Sequence, residues 1–278
     1  MTDLSRGDAE KLVAAIGIPP RPAVVLAVMD EKSKDEPDLM VIADAVSRDV
    51  GVAAALLKTV NSPLFGLRST VRSIPQAVSL LGLNPVSTLV TSLALKTTLN
   101  AQGIERFWDQ SARTAMICSW LAGKLGHDRD NAHLFGLFRD AGIPLMMRRF
   151  KDYKDTLRLA NQPGERGFTE VEDARHGVNH AIVGAIVARN WLLPETLREA
   201  IAGHHDPALF SGQTAAAIKN LVAIAHLAGQ IEGRASRGQD DSEWQRHADP
   251  ALAWLMLGDE DVEELTHAAA TLLLEQSL

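Results

Sequence analysis

Two features of this sequence carry residue types able to do chemistry. The first is Arg139 beside Asp140 in the apolar stretch GLFRDAGIPL, residues 136–145. An apolar helical segment rarely keeps adjacent charges unless they are exposed, paired or used. A guanidinium is a permanent cation that only donates hydrogen bonds, and a carboxylate is an acceptor and an oxygen ligand, so the pair is the core of a catalytic site, the remains of one, or a solvated bump. The second feature is the histidines: all nine lie at or after His127. Imidazole carries protons near neutral pH and is the commonest metal ligand, so any such chemistry belongs to the second half of the chain. His204 and His205 are adjacent in GHHDP. Neighbours on a helix point about 100° apart, so both serve one site only at a helix end or in a cleft. The alternative is that one packs and the other faces water.

Other single residues read as structural. Cys118, in TAMICSWLAG, sits in an apolar helical pattern and predicts buried packing rather than a nucleophile. His127 and His133 flank DRDN and read as loop or cap residues; His247 and His267 read as surface. His176 precedes Gly177 at a predicted helix C-terminus, where a cation suits the dipole. Trp108, Trp120, Trp191, Trp244 and Trp254 read as core anchors, and Asn61 in NSPLFG as a cap on the helix before it.

The elements that must position these residues are helices almost throughout. SIPQAVSLLG has Ser73 as N-cap, Pro75 in the first turn, Gln76 three residues after the cap and Gly82 past the end. Asn84 and Pro85 predict the next start, Thr169 with Glu172 a capping box closed by Gly177, and Pro194 another start. Apolar residues at three- and four-residue steps predict further helices over 4–16, 22–33, 38–48, 50–61, 104–126, 131–148, 179–192, 214–232 and 259–276. The polar stretch 233–243 reads as a mobile loop. The expected organisation is an N-terminal helical part, 1–102, and a second helical part, 103–278, ending in a helical extension.

The formal charge of the 278 residues is −7, which argues against a broad nucleic-acid surface. Arg148, Arg149, Lys151 and Lys154 are interrupted by Asp152 and Asp155 and read as a solvated helix end. One cysteine, a polar N-terminus without an apolar signal core, and no long apolar run give the expectation of a cytoplasmic protein with no membrane association.

Several long blocks together resemble the HDOD family of bacterial signalling output domains. They are IPPRPAVVLAVMD, ADAVSRDVGVAAALLKTVNSPLFGL, VRSIPQAVSLLGLNPVSTLVTSLAL, RFWDQSARTA, AHLFGLFRDAGIPLM, HGVNHAIVGAIVARNWLLPETLREAIAGHHDP and IKNLVAIAHLAG. The resemblance implies an all-α fold: a multi-helix bundle like that of the HD superfamily, preceded by an N-terminal helical subdomain. It also implies kinship with metal-dependent phosphohydrolases, in which a His, a His-Asp dyad and a later Asp hold one or two metal ions. At those positions this chain has Gln110, Arg139 with Asp140, and His226. His180, His204 and His205 match histidines that add ligands in related cyclic-dinucleotide phosphodiesterases. Arg139 cannot ligate a cation and repels one.

The resulting expectation is a stand-alone, non-catalytic signalling or regulatory module without catalytic residues, bound metal or cofactor. It binds a protein partner or a nucleotide through the cleft between the two halves, and Gln110, Arg139, Asp140, His180, His204, His205 and His226 are the candidate residues of a remnant site. The alternative is a metal-dependent phosphohydrolase or cyclic-dinucleotide phosphodiesterase with a rearranged metal site.

Overall fold

The computed structural model describes residues 15–62, 65–67, 69–99, 104–162 and 166–274. Every regular element among them is helical, so the fold is all-α. The predicted helix over 4–16 lies outside the described residues, apart from its end. The chain divides into two compact units whose main segments are Pro20–Asn100 and Ala101–Ala269.

The first unit contains α1 (Ala23–Lys32), α2 (Leu39–Arg48), α3 (Val50–Val60), α4 (Ile74–Leu81) and α5 (Leu83–Leu99). Local signals explain its boundaries. The Asp38 carboxylate accepts from the Met40 amide to open α2, and Asp49 accepts from the Val52 amide to open α3. Asn61 follows α3 and donates to the Leu57 and Val71 carbonyls while accepting from the Val71 amide, each at 2.8 Å. It therefore caps its helix as expected and also pins the next loop. Ser73 caps α4, and Gln76 reaches back to the Arg72 amide at 3.0 Å. α5 starts at Leu83, directly after Gly82 at φ 75°, so Asn84 and Pro85 lie inside its first turn rather than at a cap. A proline there removes no intrahelical donor. Val25, Val28, Ile42, Val46, Leu56 and Leu95 are fully buried in this unit.

The second unit contains α6 (Glu105–Lys124), α7 (Arg129–Phe138), α8 (Gly142–Arg149), α9 (Tyr153–Ala160), α10 (Phe168–His176), α11 (His180–Asn190) and α12 (Glu195–Gly203). After a short 3₁₀ turn, Pro207–Phe210, come α13 (Ala216–Arg237), α14 (Trp244–Leu255) and α15 (Asp259–Leu274), the last of which belongs to this unit as far as Ala269. α13 is the axis: it is buried almost continuously from Leu221 to Gly233, and α6, α7, α12 and α14 pack on it. Trp108 and Trp191 are fully buried, as expected.

Three expectations are corrected here. The single helix predicted over 131–148 breaks at Arg139–Ala141. Pro144 has no amide to donate to the Asp140 carbonyl, and its ring would collide with that carbonyl in a continuous helix. The Asp140 carbonyl instead accepts from the Ile143 amide at 2.9 Å, tightening the turn. The capping box at Thr169 and Glu172 is displaced: α10 starts after Gly167, whose amide donates to Glu170 at 2.9 Å. The 233–243 stretch is not a loop throughout. α13 continues to Arg237 and closes on Gly238 at φ 64°. The following strap is tied down: Asp240 accepts from Gln230 and Arg234 at 2.7 Å, and the Asp241 amide donates to Gln230 at 2.8 Å.

Glycines set two approaches that matter for the site. A Cβ at Gly142 would lie 2.0 Å from the His180 carbonyl oxygen, so only glycine lets the start of α11 close on the α7–α8 turn. A Cβ at Gly136 would lie 2.7 Å from the Ala115 Cα, which is how α7 sits tightly on α6.

Candidate functional site

Within the second unit a cavity of about 380 Å³ is lined by all seven predicted remnant-site residues: Gln110, Arg139, Asp140, His180, His204, His205 and His226. Asp241, Ser242 and Glu243 of the strap line it too. Arg139 and Asp140 come from the turn between α7 and α8, His180 from the first residue of α11, and His204 and His205 from the end of α12. The helix end is what lets the adjacent histidines face one cavity.

Asp140 is the hub. Its Oδ2 accepts from Arg139 Nε at 3.2 Å. Its Oδ1 lies 3.4 Å from His180 Nε2 and 3.4 Å from His204 Nε2. His205 Nε2 lies 3.1 Å from His180 Nε2. Every one of these rings is held through its other nitrogen. His180 Nδ1 bonds Glu172 at 2.7 Å, His205 Nδ1 bonds Glu243 at 2.8 Å, and His204 Nδ1 donates to the Ile201 carbonyl at 2.8 Å. Tyr153 donates from behind to the other oxygen of Glu172. The Nε2 atoms of three imidazoles thus converge with one carboxylate oxygen, all within 4.8 Å of one another. His204 Nε2 is buried and has no hydrogen-bond partner.

The electrostatics follow from burial and these partners. Burial opposes charge on His180, but Glu172 and Asp140 overcome it and raise the imidazolium pKa to about 10. Its Nε2–H then points toward His205 and Asp140. Burial and the neighbouring His204 push His205 down to about 3, against the pull of Glu243, so His205 is neutral. Burial also lowers His204. Burial alone would raise Asp140, but Arg139 and His180 hold its carboxyl well below the usual range. Burial likewise works against charge on Arg139, but Asp140 and Asp241 raise it.

Of the positions where the resemblance places metal ligands, Asp140 keeps a ligand type and sits with three histidines, but the other three do not fit a cation. The Arg139 guanidinium is positively charged and donates to Asp140 and, from Nη1, to the Ala225 carbonyl at 3.0 Å. His226 Nε2 is engaged, donating to the His204 carbonyl at 2.7 Å, and its ring stacks on His247 at 3.9 Å between centroids. Gln110 lines the cavity and offers only an amide oxygen as a ligand.

Sequence reasoning missed five residues here: Tyr153, Glu172, Asp241, Glu243 and His247. Glu172 was spent on a cap but is fully buried against His180. His247 was read as surface yet is fully buried, 3.4 Å from Glu243. The signal available for the last pair was their spacing of four on a helix start. His176 is also corrected. Its Nε2 lies 2.8 Å from Thr156 Oγ1, its ring packs on Phe150, and burial lowers its pKa, so it is no helix-end cation. His133 lies on α7, where burial pushes it down to about 4. Cys118 is buried, as expected. Arg148 and Arg149 are exposed. No helix among the described residues is long and apolar enough to cross a membrane.

The comparisons agree with this fold. A Treponema pallidum (strain Nichols) protein is 28% identical over 209 residues, covering 70% of this chain and 40% of its own length. Bacillus subtilis (strain 168) YuxH is 25% identical over 168 residues, covering 59% and 40%. The chain thus spans about 40% of the length of these curated relatives. A solved structure from Shewanella amazonensis SB2B superposes with TM-score 0.72 at 22% identity, covering 95% of each chain. An HDOD domain protein of unknown function from Geobacter sulfurreducens superposes with TM-score 0.63 at 21% identity, covering 94% of this chain and 98% of its own. The HDOD domain family model matches residues 18–207, and the chain belongs to the HDOD family.

Proposed function

We propose that this chain is a non-catalytic regulatory module of the HDOD type that acts by binding a protein partner in a signalling pathway. The observation that carries the non-catalytic reading is the Arg139 guanidinium, bonded at once to Asp140 Oδ2 and to the Ala225 carbonyl. A two-metal phosphohydrolase needs both carboxylate oxygens free to bridge cations that activate water and neutralise phosphoryl charge. Here a fixed organic cation takes one of those oxygens and brings no water to activate. The half-buried Asp241 and the buried Glu243 line the cavity, and the buried Glu172 lies behind His180; together they add negative charge, which disfavours a nucleotide phosphate and leaves the protein partner as the stronger reading.

The experiment pairs two measurements on the purified full chain. One is affinity capture from lysate of the source cell, and the other is turnover of a chromogenic phosphodiester with added divalent metal. The reading expects a reproducible stoichiometric protein partner and no metal-stimulated turnover. Metal-dependent turnover with no retained partner contradicts it.

A further inference from the structure

We propose that the outer face of the α11–α12 hairpin is the interface of a homodimer, occupied by the same face of a second copy of this chain. The sequence of α11 calls for a cover on both sides. Residues 181–188 read AIVGAIVA, apolar or small all the way round the helix. A helix of that composition is normally buried on every side. Within the chain one side is covered: Ala181, Val183, Gly184, Val187 and Ala188 are buried, and Gly184 lies against the start of α8. The other side carries Ile182, Ala185 and Ile186, and Ile182 is 42% exposed.

These three residues and Ala202 of α12 form the apolar part of a groove of about 300 Å³ between the two helices. Its charged lining is Arg189, Glu195, Arg198 and Glu199. Among the described residues none of these four side chains has an ion-pair or hydrogen-bond partner, and Arg198 Nε is buried without one. Two cations and two anions around an apolar floor make a face that complements itself. A partner of one charge sign would leave half of them unpaired. A two-fold axis running along the hairpin lays α11 of one copy antiparallel on α12 of the other. Arg189 and Glu195 both lie at the turn end of the hairpin, so the axis brings Arg189 of each copy to Glu195 of the other. Ile182 and Ala202 lie at the open end and meet in the same way. The product is a four-helix packing of two hairpins.

The turn between the helices carries an independent mark. The Leu193 amide donates to the Ala188 carbonyl at 2.9 Å, and Leu192 takes the left-handed position that closes α11, at φ 58°. Glycine is the usual residue there, because a Cβ makes that backbone costly. Here a leucine holds the place, and it is 65% exposed. A strained backbone that keeps an apolar side chain in solvent is explained if the turn of the second copy, brought to the same end by the axis, covers it. The two helices are only 11 and 9 residues long. The interface therefore falls below about 1,200 Å² in total, and the dimer is a reversible one. Self-association of this face does not depend on the non-catalytic reading.

The test is analytical ultracentrifugation of the untagged full chain over a concentration series. Expected is a mass that rises from one chain toward two. Ile182→Glu sets a carboxylate on the groove floor and weakens the dimer about 10-fold or more. Arg189→Glu and Glu195→Arg each set like charges opposite one another and weaken it. An equimolar mixture of those two variants restores association, because the mixed dimer has opposite charges at both contacts. Leu192→Gly relieves the turn, keeps or raises the melting temperature, and weakens the dimer. If Ile182→Glu loses helix by circular dichroism, the charge variants and Leu192→Gly decide. A single-chain mass at every soluble concentration overturns the interface, and so does a dimer that Ile182→Glu and Leu192→Gly leave at full strength. Two weakened charge variants whose mixture stays weak overturn the two-fold pairing. A chain that stays single yet retains a different protein, lost in Ile182→Glu, gives the face to that protein and overturns self-association.

Discussion

Arg139 Nε and Asp140 Oδ2 lie 3.2 Å apart at the break between α7 and α8, with side chains only 13% and 25% exposed. Two sequence neighbours form an ion pair here because Pro144 ends the ladder at Asp140 and turns both side chains into one cavity. Removing one partner of such a shielded pair takes away the nearest compensating charge of the other, leaving Asp140 only His180, or Arg139 only Asp241.

Arg139→Met is therefore expected to destabilise the fold by about 3 kcal/mol, the lower end of the range for breaking a buried pair. Urea unfolding monitored by circular dichroism measures it; a loss under about 0.5 kcal/mol contradicts the pairing. Arg139→His supplies a ligand in place of a cation, and the expected outcome is more metal bound per chain than in the wild type, read by elemental analysis. Unchanged stoichiometry argues against the view that arginine stands where a ligand could.

Gly142→Ala forces a Cβ to 2.0 Å from the His180 carbonyl, a backbone atom that cannot swing aside. The expected cost is about 3 kcal/mol, with α11 displaced from the turn. Gly167→Ala is the control. Its Cβ would meet nothing closer than 3.9 Å, so stability stays within about 0.5 kcal/mol. Equal effects at the two positions count against the close approach.

Asn61 makes three hydrogen bonds, one to the Leu57 carbonyl of α3 and two to Val71, and so joins the end of α3 to the next loop. At a net worth of about 1 kcal/mol each, partly replaced by water, Asn61→Ala should cost about 2 kcal/mol in thermal or denaturant unfolding. A neutral substitution contradicts the pinning role.

Burial pushes the Cys118 thiol up to about 12, in spite of Arg139 nearby. At pH 8 the folded chain should resist a maleimide that labels it readily in denaturant. The sign of the pH effect follows from the raised value. The unfolded thiol ionises near 9 while the folded one stays protonated, so this contribution to stability is complete below pH 9 and is lost as pH rises toward 12. Rapid labelling of the folded chain contradicts the burial.

The fold class was legible because the signals were local. Ser73 with Gln76, Gly177, Gly82 and the apolar spacing each act within a turn or two of chain. Arg139, Asp140, His204 and His205 stood out from their types and spacing alone, whereas Gln110, His180 and His226 were reached through family resemblance, since nothing local in them marks a site. The break at Arg139 was missed because apolar periodicity runs straight across it, and Pro144 was given too little weight. Glu172 and Glu243 were missed for a different reason. Their role is to orient histidines 8 residues later and 38 residues earlier, a relation only the packing of α10, α12 and the strap creates. The strap itself looked mobile because its composition is polar, but those polar groups bond to Gln230, Arg234 and Asn161.

The most direct test of the central claim is phosphodiester turnover by the full chain at saturating Mn²⁺, Fe²⁺ or Zn²⁺, measured beside Asp140→Asn. With Arg139 fixed on Asp140, the wild-type rate should equal that of the variant and of metal alone. A metal-dependent rate that Asp140→Asn abolishes would show that the arginine does not silence the site.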